Sequence, residues 1–175
     1  IGIEEIKEAA QRIHDVVVRV PVSYSDHLST LCGCEVYLKK CNLQKTGAFK
    51  LRGAFNKIAT LSEADRERGV IAASAGTHAQ GVAFAARHYG IRSVIVMPEA
   101  TPLLKVNGAK GLGAEVILHG ANYDEAYAYA VTYGQKDGLT FVHPFADDAV
   151  IAGQGTIALE FLEKVPHLDV IVVPV

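Results

Sequence analysis

The sequence predicts an α/β fold, with open parallel sheets and helices on both faces. Three features carry that expectation. Beyond residue 70, short apolar runs (VIAA, SVIVM, EVIL) alternate with longer segments of helical spacing. Gly90, Gly113, His119-Gly120 and His143-Pro144 punctuate the alternation. The chain closes on HLDVIVVPV, a continuous apolar run of the kind buried on both sides in a parallel sheet. Such alternation means βαβ units, and right-handed crossovers place their helices on the two faces.

Taken in order, residues 3–14 set Ile3, Ile6, Ala9, Ala10 and Ile13 at helical spacing, which makes one apolar stripe. VVVRVPV follows as extended chain interrupted at Pro21. Residues 23–31 suit a short helix capped by Ser23 or Ser25, and residues 35–39 a strand. A loop through Cys41, Asn42 and Gln44 leads to a helix that Thr46 can cap and that runs to about Thr60. SEADRERG makes a solvated helical turn, capped by Ser62 and stopped by Gly69. Strand 70–73, helix 77–89, strand 93–97, helix 102–112, strand 115–118, helix 122–136, strand 139–142 and helix 148–164 then precede the final strand. A domain seldom stops inside its most buried strand, because that exposes unpaired backbone and apolar side chains. The expectation is therefore the ordered part of a longer polypeptide.

Bulk properties narrow the function. With 175 residues, half of them apolar and 21% charged, the chain is large enough for a real core. Its net charge of -2 argues against a nucleic-acid footprint. No apolar run is as long as a membrane span, and the mixed-charge start is unlike a secretory leader. Cys32, Cys34 and Cys41 are odd in number and lack framework spacing, which fits a reducing, cytoplasmic compartment. Together with His27 they match no common zinc spacing, so no metal is expected and the thiols are read as semi-buried near a strand.

Two stretches hold the candidate chemistry. TGAFKLRGAFNKI (46–58) carries Lys50 among Ala48, Phe49 and Ala54. A lysine that reacts with an aldehyde needs such partly dry surroundings. On local evidence alone, Lys50 is as well read as a solvent-facing helix lysine and Phe49 as a core aromatic. VIAASAGTHAQG (70–81) is a strand, a small-residue turn and a helix start. The turn Ser74, Ala75, Gly76, Thr77 and His78 presents free N–H groups at a helix N-terminus, which is an anion site. Any α/β turn, though, favours small residues. His78 either donates to a bound anion or satisfies a cap, and Gly81 lets its helix approach a neighbour closely. Gly153-Gln154-Gly155-Thr156 lacks the dinucleotide pattern and reads as close helix packing.

Taken together, VYLKK, NLQKTGAFKLRGAFNKI, GVIAASAGTHAQGVAFAA, VIVMPEATPLLKV, GAEVILHG and VIAGQGTIALE resemble, in order, the fold-type II pyridoxal-phosphate enzymes. These are the tryptophan-synthase-beta-like enzymes, and the match is to their threonine dehydratase and serine racemase branch. The resemblance implies pyridoxal 5'-phosphate as cofactor, held covalently by Lys50, which also takes the substrate α-proton. It implies Phe49 against the cofactor ring, Thr77 near its phenolic oxygen, and Ser74 to His78 as the loop for the substrate carboxylate. It implies the N-terminal part of a large cofactor-binding domain in 1–53, a small mobile domain in 54–148, and a return to the large domain in 149–175. The family's phosphate-binding glycine loop follows that last strand.

The implied reaction is deaminating dehydration of L-threonine, and of L-serine, in a homo-oligomer (dimer or tetramer) serving amino-acid metabolism such as isoleucine biosynthesis. The alternatives are a serine racemase/dehydratase, a non-catalytic fragment of a split or degenerate enzyme, and a plain α/β binding protein. Three positions depart from the family pattern: Thr77 for asparagine, Ala48 for serine and Cys41 for glutamate. Ala75, where racemases carry serine, and the apolar Phe145 favour elimination.

Overall fold

The computed structural model describes residues 1–173, and in it the expected alternation is present from residue 70 onward. The elements are α1 (Ile3–Ile13), β1 (Val22–Tyr24), α2 (Asp26–Cys32), β2 (Tyr37–Lys39), α3 (Leu51–Ala59), α4 (Glu63–Arg68), β3 (Val70–Ala73), α5 (Thr77–Tyr89), β4 (Ser93–Met97), α6 (Leu103–Gly111), β5 (Glu115–Leu118), α7 (Tyr123–Asp137), β6 (Thr140–Phe141) and α8 (Asp148–Lys164). A short 3-10 turn covers Cys41–Leu43.

The main sheet is parallel and runs β5-β4-β3-β6. Side chains alternate across it, as the pleat requires. Val70, Ala72, Ile95 and Met97 face a core shared with α3, α5 and α6. Ile71, Ala73, Val94 and Val96 face Ala126 and Ala130 of α7 on the other side. Helices therefore cover both faces, and the parallel sheet with two-sided burial matches the fold class read from the sequence.

Local signals work where the chain supplies its own partner. Ser25, Ser62 and Asn122 cap α2, α4 and α7 by accepting from Leu28, Asp65 and Glu125 N–H. Gly90 ends α5 in the left-handed region at φ 65, where a side chain would be strained.

Several expectations need correction. β1 and β2 form a separate antiparallel pair, with Val22 opposite Lys39, because the short α2 between them turns the chain back. Ser23 lies in β1 and caps nothing. Thr46 does not cap the lysine helix either: α3 begins at Leu51 and Lys50 itself occupies the N-cap position. Cys32 and Cys34 are exposed, at the end of α2 and just past its Gly33 cap, in a helix that buries only Ser29; only Cys41 is half-buried. The final apolar run is no strand through residue 173, and Val172 is 91% exposed. A strand is held by its neighbours' hydrogen bonds, and none of the described strands pairs with this run. The last two residues of that expected strand lie outside the described residues.

α3 is the central strut, packed between α5 and α8. At its crossing with α8 two glycines meet: a Cβ on Gly153 would lie 2.6 Å from the Arg52 carbonyl oxygen and from Gly53 Cα. The reading of Gly153 as a packing residue is thus correct. Beside the crossing, Gly53 N–H donates to Gln154 Oε1 at 3.2 Å and Asn56 Nδ2 to the Ala149 carbonyl at 2.8 Å.

Candidate active site

The strand order reverses at β3. The chain steps outward from β3 to β4 and β5, then returns to place β6 on the other edge of β3. The crossover after β3 uses α5 on one face, and the crossover before β6 uses α7 on the other. In such sheets a crevice opens beyond the carboxyl ends of the two strands at the reversal, and ligands bind there. Here that crevice lies between the turn 74–78, which follows β3, and the turn 142–146, which follows β6.

The first turn is built to leave donors free. Ser74 N–H continues the sheet, donating to the Val96 carbonyl at 3.0 Å, while Ser74 Oγ accepts from Gly76 N–H at 3.1 Å. Gly76 is the N-cap of α5 and offers no side chain to the first-turn N–H groups. A Cβ at Gly76 would meet no atom within 4 Å, so open space lies beside the start of the helix. Ser74, Ala75 and Gly76 are half-buried and Thr77 is exposed. This geometry suits a carboxylate or another anion.

Lys50 reaches the same region through helix packing. Gly81 of α5 allows the close approach: its Cβ would lie 3.3 Å from Leu51 Cα, Leu51 N and the Lys50 carbonyl oxygen. The start of α3 is thereby pressed against the second turn of α5. Lys50 and Phe49 are both half-buried, with Phe49 O accepting from Arg52 N–H at 3.0 Å. Phe49 is outside the buried cores, so the reading as a simple core aromatic fails.

His78 faces inward and is 1% exposed. Its Nε2 lies 2.9 Å from the Val142 carbonyl oxygen and so carries the proton. Nδ1 is left a buried acceptor without a partner. Burial lowers its pKa to about 4, the charges of Lys50 and His143 push the same way, and the bond to Val142 opposes them. His78 therefore does not donate to an anion through Nε2; it ties α5 to the end of β6.

Across the crevice, His143 Nδ1 accepts from Phe145 N–H at 3.2 Å and Ala146 N–H at 2.8 Å. Burial holds the His143 pKa below the usual histidine value, against the pull of Asp147. Asp147 in turn caps α8 through Ala149 and Val150 N–H and pairs with Lys57 at 2.7 Å. Lys57 is thereby spent on structure.

The sequence reading missed a buried charge cluster behind Lys50. Arg52, 1% exposed, bonds Thr156 Oγ1 at 2.9 Å and both oxygens of Glu160. Lys39 reaches the same carboxylate at 2.6 Å and the Val20 carbonyl at 2.7 Å. Burial opposes ionisation of Glu160, but the bonds from Arg52 and Lys39 outweigh it and hold the carboxyl below its ordinary range. Cys41 lies in the field of all three; burial raises its thiol pKa, and Arg52 and Lys39 pull it down. An arginine in an apolar helix was the one available signal, and its partner stands 108 residues away.

These residues fit the aldehyde end of pyridoxal phosphate: an amine at a helix start, an open anion-binding turn, and an unpartnered buried acceptor beside them. A protein-family model described as pyridoxal-phosphate dependent enzyme matches residues 13–175. An L-threonine ammonia-lyase of Thermotoga maritima is 57% identical over 175 residues, which are all of this chain and 44% of that protein. The structure of maize serine racemase superposes with a TM-score of 0.91 at 37% identity, over 95% of this chain and 51% of that one. Threonine deaminase isoform 2 of Solanum lycopersicum gives a TM-score of 0.85 at 38% identity, over 94% and 47% of the two chains. The chain spans from 34% to 51% of the length of the curated relatives it matches. With the family model covering nearly its whole length, this chain belongs to the pyridoxal-phosphate dependent enzymes of the fold-type II architecture.

Proposed function

We propose that the protein containing this chain is a threonine ammonia-lyase, dehydrating and deaminating L-threonine, and also L-serine, to the 2-oxo acid and ammonia. The observation that carries the reading is the convergence of Lys50 with the uncapped start of α5, enforced by the 3.3 Å approach of Gly81 to the Lys50–Leu51 backbone. Pyridoxal phosphate, when bound, supplies an electron sink for the pair left on the substrate α-carbon.

The chain's residues have distinct tasks in this reading. Lys50 Nζ would hold the cofactor and, as a free amine, would take the substrate α-proton. The N–H groups of residues 77 and 78, left free while Gly76 N–H donates to Ser74 Oγ, hold the substrate carboxylate, with the helix dipole assisting. Phe49 flanks the cofactor ring, and the exposed Thr77 offers a hydroxyl where relatives place an amide. The Cα–H and Cβ–O bonds break, water leaves, and hydrolysis of the resulting imine gives ammonia and the 2-oxo acid. Ala75 has no proton to give from the other face, which supports elimination over the racemisation carried in the names of some structural neighbours.

The same reading assigns 54–148 to a small mobile domain, supported by all four parallel strands lying between Val70 and Phe141. Residues 1–53 and 149–173 belong to a larger domain, supported by the packing of α1 on α8. A cytoplasmic homo-oligomer and a role in isoleucine biosynthesis complete it.

The test is to add pyridoxal phosphate to the full-length protein and record the visible spectrum beside Lys50→Ala. A band that needs Lys50, and ammonia release from L-threonine, are expected. A folded wild-type protein showing neither overturns the reading.

A further inference from the structure

The start of α5 has no side-chain cap: Gly76 at the N-cap offers none, and Thr77 after it is exposed. A first turn without a cap frays unless a tertiary contact holds it. His78 makes that contact. Its ring is buried at 1% exposure, and Nε2 donates to the Val142 carbonyl at 2.9 Å. Val142 is itself fixed, with a fully buried side chain and its N–H on the Ile71 carbonyl of β3 at 2.8 Å. The sheet thus reaches the backbone of residue 78 through Val142 and the ring. Residues of this chain alone cover that ring.

The two ends of His78 have different tasks. Its backbone N–H, with that of Thr77, is a donor left free for the substrate carboxylate. Its side chain reaches the opposite wall of the crevice, at the end of β6. The bond from Gly76 N–H to Ser74 Oγ steadies only the near side of the turn. Burial keeps the ring neutral, so it acts on a bound carboxylate by where it holds the N–H groups and not by charge.

We propose that the His78 side chain is a positioning residue for the substrate carboxylate: its bond to Val142 holds the Thr77 and His78 N–H groups in the orientation that receives the anion. The inference rests on the lyase reading above and deepens it. A turn that must be ordered at the moment of binding loses affinity by the cost of that ordering. Donors displaced by a fraction of an ångström weaken binding by about 10-fold or more.

The experiment uses the full-length protein with pyridoxal phosphate bound. His78→Leu fills the space without a donor, and His78→Gln restores an N–H of similar reach. His78→Asn, with the same amide on a shorter stem, replaces His78→Leu should that variant not fold. L-2-aminobutyrate and propylamine, the same molecule without its carboxylate, are titrated against the visible band. In His78→Leu the affinity for L-2-aminobutyrate is expected to fall about 10-fold, while that for propylamine stays within about twofold. KM for L-threonine should rise by a similar factor with kcat largely kept. His78→Gln should recover most of both. Without any ligand, hydrogen exchange at residues 80–82, whose N–H groups bond the carbonyls of 76–78, should speed up in His78→Leu and not in His78→Gln.

Equal losses for the two ligands, or an unchanged affinity for L-2-aminobutyrate, overturn the proposal while the lysine-dependent visible band and the lyase activity stand. Failure of both His78→Leu and His78→Asn to fold also overturns it, since the ring is then a core residue and nothing more. Absence of the band in wild type overturns the lyase reading, and this inference falls with it.

Discussion

Glu160 of α8 holds Arg52 of α3 with both carboxylate oxygens, Oε1 2.7 Å from Nη1 and Oε2 2.9 Å from Nη2. The carboxylate is shared with Lys39, so two nearly inaccessible cations depend on one anion. Glu160→Gln keeps the shape and removes the charge. Urea unfolding should show a loss of about 3–5 kcal/mol, because an uncompensated buried charge remains. Adding Arg52→Met to that variant should recover part of the loss. A Glu160→Gln protein as stable as wild type would show that the cluster is solvated.

The same cluster carries one cation more than it has anions, and Cys41 sits in its field. Cys41→Glu adds the missing carboxylate beside Arg52 and Lys39. Thermal unfolding should shift upward by about 2–4 °C for each kcal/mol gained. A lower melting temperature would mean that the larger side chain does not fit.

The Gly153–Gly53 crossing leaves no room for a methyl group. Gly153→Ala places Cβ 2.6 Å from backbone atoms of α3 and should cost about 1–3 kcal/mol by overpacking. Gly111, also helical, meets nothing within 4 Å, so Gly111→Ala should be neutral or stabilise by about 0.5–1 kcal/mol. Chemical denaturation of the two variants checks the contrast, and equal effects would refute the crossing.

Stability should depend on pH through His78. Its ordinary value of 6.5 applies to the unfolded chain and about 4 to the folded one. Between those values the unfolded chain binds more protons, so folding is favoured as pH rises. The contribution is complete above 6.5 and is lost as pH falls through about 4. It amounts to on the order of 3 kcal/mol. His143, also lowered, adds in the same direction. Unfolding free energies of wild type and His78→Gln, measured across that window, should converge toward its acid end. Parallel curves would contradict the buried neutral ring.

The elements that were legible in the sequence are those whose cause is local. The alternation of VIAA, SVIVM and EVIL with helical segments, and the caps at Ser25 and Ser62, need only neighbours a few residues away. The Lys50 and Ser74–His78 blocks were legible as ordered motifs, without any signal of which way His78 faces. The final run HLDVIVVPV misled, because apolar composition makes a strand only where another strand is there to receive it.

By itself, the sequence determined the class of the fold, the family and the residues that bear the candidate chemistry, since periodicity, capping and motif order are written in short windows. Only the tertiary structure decided that Lys50 sits at a helix start pressed against α5, that His78 is a neutral strut to Val142, and that Arg52 finds Glu160 and Lys39. Those relations join residues dozens of positions apart. They depend on how closely glycine-bearing helices approach and on what burial does to a charge, and neither is encoded in any local stretch.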